Sequence, residues 1–349
     1  MSFDYVFKPD FFENDTNVTY TIDLSKAPCE TSSLAPPVAV ALSIILVAIF
    51  LLAVAGNLLV GWVIGSSRQS LTPSDVYLFH LTIADGLMAL TLPFFAVSLV
   101  QGWVFGDFMC KAISLMFEAN VYSSIIFLAC ISMDRYIAIV HSSDTIGSHH
   151  RRCSWLLSAA VWAFGGTLSL PALFTEVILD SGRMLCMTSF DLGNATSWRL
   201  ATRIFRHLFG FFIPLAVMVI CYGVTVGRLL RTRGFQKHRA MKVIIAVVIA
   251  FVLCWMPYHV SQIADTVLRT DLLPFDCAAR TRVSTAMSAS SAVALLHSCI
   301  NPVLYAFVGE RFRSKMMLLC RRKLRQERLS RSKFSRSTSQ TSEGKGAIL

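Results

Sequence analysis

Five side chains able to hold a proton or a hard cation sit at similar expected depth in otherwise apolar stretches: Asp85, Asn120, Ser124, Ser298 and Asn301. A carboxylate inside a run such as Leu81-Thr82-Ile83-Ala84-Asp85-Gly86-Leu87 is costly to keep from water, and residues of this kind mark functional sites. With Trp255 the set could cage a sodium ion or ordered waters, or form a hydrogen-bonded network without an ion. A second group, Asp134-Arg135-Tyr136, places an acid beside a base at the end of a long apolar run. Two more, Cys254-Trp255-Met256-Pro257 and Asn301-Pro302-Val303-Leu304-Tyr305, set proline beside a large or polar side chain, and proline is a usual cause of helix bends. This is the chemistry of binding and switching. His297-Ser298-Cys299 has no base with an orienting partner and no metal spacing occurs, so an enzyme is not expected.

The elements that must position these groups are membrane helices. Of the 349 residues, 54% are hydrophobic and only 15% charged, which fits a polytopic membrane protein better than two soluble domains. From Cys110 to Arg135 a helix rises roughly 37 Å, enough to cross ~30 Å of hydrocarbon. Asn120, Ser124, Ile131 and Arg135 share one face of it, and a polar stripe in lipid must turn inward, so this helix belongs inside a bundle. Seven apolar segments follow one another: 37–66, 73–100, 107–140, 152–174, 199–230, 238–268 and 281–307. Pro93, Pro171, Pro214, Pro257 and Pro302 lie inside them, which bundle neighbours and waters make tolerable. The expected fold is an all-α, seven-transmembrane helix bundle with a short amphipathic C-terminal helix.

Charge orients it. Residues 1–36 carry a net −4 and residues 308–349 a net +9, so the overall +11 is a split between the ends and not a nucleic-acid footprint. Basic residues mark alternate connections (Arg68; Arg151 and Arg152; Arg228 to Arg239), which puts the amino terminus outside and the tail in the cytoplasm. Sequons at Asn14, Asn17 and Asn194 all fall on the expected outer side. Residues 1–35 lack a basic start and an early apolar core, so the first span is expected to target the chain to the membrane. The organisation read from this is an extracellular acidic tail over 1–36, the bundle over 37–307, an interfacial helix on membrane lipid over 308–320, and a cytoplasmic Ser/Thr-rich basic tail over 321–349. Four cysteines are expected outside, Cys29, Cys110, Cys186 and Cys277, allowing three pairings. Cys130, Cys153, Cys221, Cys254 and Cys299 read as small buried hydrophobes, and Cys320 as a palmitate acceptor.

Together with Gly56-Asn57 and Trp162, these motifs make the chain resemble a rhodopsin-like (class A) G-protein-coupled receptor over residues 37–320. Within that class it is most similar to chemokine receptors, through Thr91-Leu92-Pro93, Gly102-Trp103-Val104-Phe105-Gly106, Gln236-Lys237-His238-Arg239-Ala240-Met241, His297-Ser298-Cys299 and Pro28-Cys29. Ala264-Asp265-Thr266-Val267-Leu268-Arg269-Thr270, with Arg199 and Arg203, resembles the CXC receptors of the interleukin-8 type. The resemblance implies disulfides Cys110–Cys186 and Cys29–Cys277, and a grip on a basic CXC chemokine by Tyr5, Asp10, Tyr20 and Asp23, with Tyr5 and Tyr20 sulfated. It implies ligand contacts at Arg199, Arg203, Asp265, Arg269 and Arg280. Ser291 stands where most chemokine receptors carry a glutamate, Ser288 where an acid is usual in the interleukin-8 type, and Phe95 where tryptophan is common. An arginine of the ligand must then find its anion at Asp265, Glu118 or Asp276.

The switch implied is an ion pair between Asp134 and Arg135 at rest. It releases when Trp255 and the Pro257 hinge move, and Arg135 then turns towards Tyr222 and Tyr305 so that an inhibitory heterotrimeric G protein can enter. Lys237 stands where many such receptors carry an acid that locks the sixth helix. Receptor kinases acting on Ser330, Ser332, Ser335, Ser337, Thr338, Ser339, Thr341 and Ser342 would create an anion cluster for arrestin. The competing readings are a receptor for another basic peptide, a chemokine scavenger, and a transporter or channel. The scavenger sits poorly with an intact Asp134-Arg135-Tyr136, and the transporter with the lack of an internal repeat.

Overall fold

A computed structural model describes residues 34–66, 71–140, 147–180, 182–189, 195–230, 235–268 and 276–308, and then 314, 316–318 and 321. Seven helical spans among them are long and apolar enough to cross a membrane. They are α1 (Pro36–Gly65), α2 (Pro73–Gln101), α3 (Gly106–Val140), α4 (Gly147–Leu168) with a 3-10 turn (Leu170–Phe174), a fifth span of α5 (Ala195–His207), a π segment (Leu208–Phe212) and α6 (Ile213–Leu230), then α7 (Phe235–Leu268), and a seventh span of α8 (Cys277–Leu295) and α9 (His297–Val308). In hydrocarbon every backbone amide must be satisfied within its own segment, which is why runs this apolar fold as helices. Leu52, Leu58, Leu156, Ile220 and Leu253 point outward with more than half their surface exposed, as lipid-facing side chains do.

Local chemistry sets the ends. Prolines open α1 and α2, where their missing N–H costs nothing. Thr72 and Asp75 form a capping box at the start of α2, with Thr72 N–H donating to Asp75 Oδ2 at 2.9 Å. The seventh span begins at 277, earlier than its apolar pattern implied, because Asp276 caps it by accepting from the Ala278 amide at 2.9 Å. The fourth span keeps α-helical form only to Leu168, and Pro171 falls in the 3-10 turn that follows. Pro214 has no N–H for the carbonyl four residues earlier, and the chain winds into the π segment just before it.

α3 is the central strut. Within its most apolar stretch 67% of residues are buried, against 28% in the first and fourth spans. It packs on α2, α4 and α6, and α4 comes so close that a Cβ on Gly165 would overlap Ser123 Oγ. At one end a hairpin of β1 (Thr175–Asp180) and β2 (Arg183–Thr188) folds over the bundle and is tied to α3 by the disulfide Cys110–Cys186. Gly102, at φ +83°, turns the chain out of α2 where any Cβ would meet the Met184 carbonyl at 2.9 Å. Trp103 then seals the corner, its amide donating to Met184 O at 2.7 Å and its indole to Gly106 O at 2.9 Å.

Candidate functional site: a polar cavity and the ladder beneath it

Below the hairpin the spans enclose a cavity of about 370 Å³ whose floor includes Trp255, Ile125 and Leu295. A second, of about 600 Å³, runs under the hairpin towards α5 and shares Phe95, Phe117, Glu118, Tyr122 and Arg206 with the first. Two ion pairs lie at this end of the bundle, and the first of them lines both cavities. Arg206 donates to Glu118 Oε1 at 2.5 Å and to the Tyr258 hydroxyl at 2.7 Å. Arg203 donates to Asp265 Oδ2 at 2.6 Å and to Thr266 Oγ1 at 2.7 Å. Each pair spans different helices, so partner choice here is tertiary.

Arg206 is a site residue that sequence reasoning missed. Its signal was available, because Arg199, Arg203 and Arg206 follow at +4 and +3 and therefore share a face. The three carboxylates expected to be open to a ligand are all engaged: Glu118 by Arg206, Asp265 by Arg203, and Asp276 by the first turn of α8. Ser288 and Ser291 both line the cavity and turn their hydroxyls onto carbonyls of their own helix. Arg199 is exposed, and Arg280 donates to the Leu268 carbonyl at 3.2 Å.

Beneath the floor lies Asp85, fully buried. Ser124 Oγ donates to its Oδ1 at 2.6 Å and Asn301 Nδ2 to its Oδ2 at 2.8 Å. Of the five residues grouped by depth, these three come together. Asn120 instead donates to Met116 O at 2.6 Å on its own helix, and Ser298 of α9 to Leu295 O of α8 at 2.8 Å, within its own span. His297, which the sequence reading left out of this set, takes the adjoining place: its Nε2 is 3.6 Å from Asp85 Oδ1 and 3.4 Å from Ser124 Oγ. Its Nδ1 is 2.7 Å from the Ala294 carbonyl, an acceptor, so Nδ1 carries a hydrogen and Nε2 gains one only when the ring is cationic. For a hard cation the oxygens brought together are those of Asp85 and Ser124, while Asn120, one turn of α3 away, keeps a buried Oδ1 with no protein partner. That donor set suits sodium, with His297 as its competitor for Asp85.

The Trp255 ring links the two levels. Its centroid is 6.0 Å from that of Tyr258 and 5.1 Å from that of His297. Contacts thus run from Arg206 through Tyr258, Trp255 and His297 to Asp85, passing beside Pro257 in α7 and Pro302 in α9.

At the far end of α3 the expected ion pair is corrected. Asp134 accepts a hydrogen bond from Ser74 of α2, and among the described residues no salt bridge joins it to Arg135. Neighbours in a helix point about 100° apart, so adjacency in sequence is a poor route to pairing. Arg135 lies half-buried, close enough for its charge to act on the buried Tyr222 ring, whose hydroxyl meets Ser132. Tyr136 is half-buried. Of the five cysteines read as buried, Cys130, Cys221 and Cys254 are so, Cys299 partly, and Cys153 is exposed near the start of α4. Cys277 is disulfide-bonded, and its expected partner Cys29 lies outside the described residues. So do Tyr5, Asp10, Tyr20, Asp23, Asn14, Asn17, Asn194, Arg269, Cys320, the tail phosphorylation sites, and the side chains of Lys237 and Tyr305.

A family model of the 7 transmembrane receptor (rhodopsin family) matches residues 56–305. C-X-C chemokine receptor type 2 of Homo sapiens is 43% identical over 295 residues, covering 84% of this chain and 81% of that receptor. C-X-C chemokine receptor type 1 of Homo sapiens is 45% identical over 266 residues, 76% of each chain, and type 1 of Oryctolagus cuniculus is 43% identical over 294 residues, 83% of this chain and 82% of that one. Seven membrane-spanning helices, a hairpin bound to the third by a disulfide and an ion-paired cavity beneath it are what these relatives have to be compared with. The chain belongs to the rhodopsin family of G-protein-coupled receptors and, within it, to the CXC chemokine receptors: a multi-pass plasma-membrane signalling receptor and not an enzyme.

Proposed function

We propose that this receptor binds a basic CXC chemokine of the interleukin-8 type and signals through an inhibitory heterotrimeric G protein to calcium release and chemotaxis. The amino terminus is extracellular and the carboxyl terminus cytoplasmic. Residues 1–36 grip the ligand, 37–307 form the bundle, 308–320 lie on membrane lipid, and 321–349 carry the phosphates that recruit arrestin. The observation that carries this reading is the ladder of contacts from Arg206 to Asp85, which gives a ligand in the cavity a physical route to the proline-bearing halves of α7 and α9. An acidic group of the ligand competes with Glu118 for Arg206, and a basic one competes with Arg203 for Asp265. Either exchange frees Tyr258 or Thr266 on α7. Ligand binding shifts the receptor only by its different affinity for two states, and the exchange of ion pairs supplies such a difference.

A sodium ion held by Asp85, Ser124 and Asn120 would favour the resting state. Arg135, with Tyr222 and Tyr305, forms the mouth that the G protein enters. The test is a screen of basic CXC chemokines for pertussis-toxin-sensitive calcium release in cells expressing the chain. An Arg135→Ala variant should bind the same chemokine and stay silent. Normal signalling by that variant would overturn the mechanism, and ligand-evoked ion flux without a G protein would favour a channel.

A further inference from the structure

Two imidazoles outside this ladder face each other across the fifth and sixth spans. His207 and His259 stand Nδ1 to Nδ1 at 2.8 Å. We propose that this pair is a site for a divalent transition cation, Zn²⁺ or Cu²⁺, held by the two Nδ1 atoms with water from the cavity completing its shell.

The spacing is close to that of a metal chelate. Two nitrogens each about 2.0–2.1 Å from a tetrahedral zinc stand about 3.3 Å apart, so the rings must part by about half an ångström and turn until both lone pairs converge on the metal instead of lying along the line between the nitrogens. His259 is held for the purpose: it is buried, stacked on Phe211 at 4.7 Å and braced edge-on by Tyr258 at 5.2 Å. Its Nε2 is buried with no partner in the protein. No second hydrogen bond therefore fixes its tautomer, and the Nδ1 lone pair can be given to a metal. His259 also lines the 370 Å³ cavity, which gives a hydrated cation its route in. The nearest fixed positive charges, Arg206 and Arg203, are each neutralised by a carboxylate, at 2.5 and 2.6 Å.

Imidazole selects zinc and copper over magnesium and calcium, which take oxygen. Among the described residues no third His, Cys, Asp or Glu joins the pair, so the site is two-pointed with open coordination positions. Its placement makes it a clamp. His207 immediately precedes the π segment Leu208–Phe212, and His259 lies two residues past Pro257. A bound cation ties together two spans at the irregularities about which each would bend. This holds whatever ligand fills the cavity.

The experiment uses the purified full chain in lipid nanodiscs, titrated with Zn²⁺ or Mg²⁺ alone. Zinc affinity is read against a fluorescent chelator, and the thermal midpoint alongside it. The expected result is a micromolar zinc site that raises the midpoint while Mg²⁺ does not. His207→Gln and His259→Asn should each weaken zinc at least about tenfold and remove the rise. His259→Cys should restore zinc binding through a thiolate, and Cu²⁺ on the unaltered chain should show electron-spin coupling to two nitrogens. Unchanged helix content by circular dichroism shows that the variants are folded. Zinc affinity unchanged in both variants places any metal elsewhere and overturns the proposal. So does a lower metal-free midpoint with no change in zinc affinity, which would make the pair a structural hydrogen bond.

Discussion

Arg206 and Arg203 are alike in chemistry and differ in setting. Asp265 is only 5% exposed in its pair with Arg203, while Arg206 is 36% exposed in its pair with Glu118. Removing one partner of a buried pair strands the other charge, at a typical cost of about 3–5 kcal/mol. Asp265→Ala should therefore lower the thermal midpoint clearly, and Arg203→Leu/Asp265→Leu should recover most of the loss. For Glu118 and Arg206 a double-mutant cycle on chemokine affinity should return a coupling of about 0.5–3 kcal/mol, as contacting residues do. A coupling near zero would mean that the ligand leaves this pair intact. Lower still, Asp85→Asn should abolish any effect of sodium on agonist affinity while leaving the receptor able to bind. Persistence of a sodium effect in that variant would remove Asp85 from the ion's shell. Asn120 and Ser298 looked like members of this group because depth can be counted along a helix. Which way a hydroxyl or amide turns cannot, and both turned to carbonyls of their own spans.

At the scale of elements, the contact between α3 and α4 depends on Gly165 having no side chain. A Cβ there would overlap Ser123 Oγ and stand 3.2 Å from the Ala119 carbonyl. Gly165→Ala should destabilise by about 1–3 kcal/mol, as overpacking does. Adding Ser123→Ala should recover part of that and not all, since the carbonyl remains. Thr72→Ala removes one half of the capping box of α2 and should cost about 1 kcal/mol, read as a lower melting midpoint with unchanged ligand affinity. The breaks in the fifth and seventh spans show a limit of reading helices from hydropathy. Pro214 follows directly on the π segment, whereas the seventh span changes helix at Leu296 and Pro302 stays inside α9, so what a proline does depends on what neighbouring helices offer the freed carbonyls.

For the whole molecule, the hairpin is a lid held by one covalent tie, by Trp103, by the Val177 amide donating to Asp107 Oδ1 and by Arg183 donating to the Val100 carbonyl. Breaking Cys110–Cys186 by Cys110→Ser should cost about 2–4 kcal/mol and reduce ligand binding more than it reduces helix content. Preserved chemokine affinity in that variant would show that the lid takes no part in binding. The charge split between −4 at the amino-terminal tail and +9 at the other end makes a further prediction. Association with a basic ligand should slow as salt is raised, because steering by exposed charge is screened over about 8–10 Å at physiological ionic strength.

Seven helices, their ends to within a few residues and the family likeness were determined by local order in the chain. Apolar runs have no other stable form in lipid, and proline and capping residues act on their immediate neighbours. The disulfide Cys110–Cys186 and the closeness of Asp85, Ser124 and Asn301 were legible as well, the first through resemblance and the second through depth. Only the tertiary structure decided that Arg206 bridges Glu118 and Tyr258, that His297 adjoins Asp85, that His207 meets His259, and that Asp134 turns to Ser74 instead of Arg135. In each of those contacts the two residues lie on different helices, or on faces that adjacency cannot bring together. The rotation of one helix about its axis against the next settles who meets whom, and that rotation is the outcome of packing the whole bundle at once.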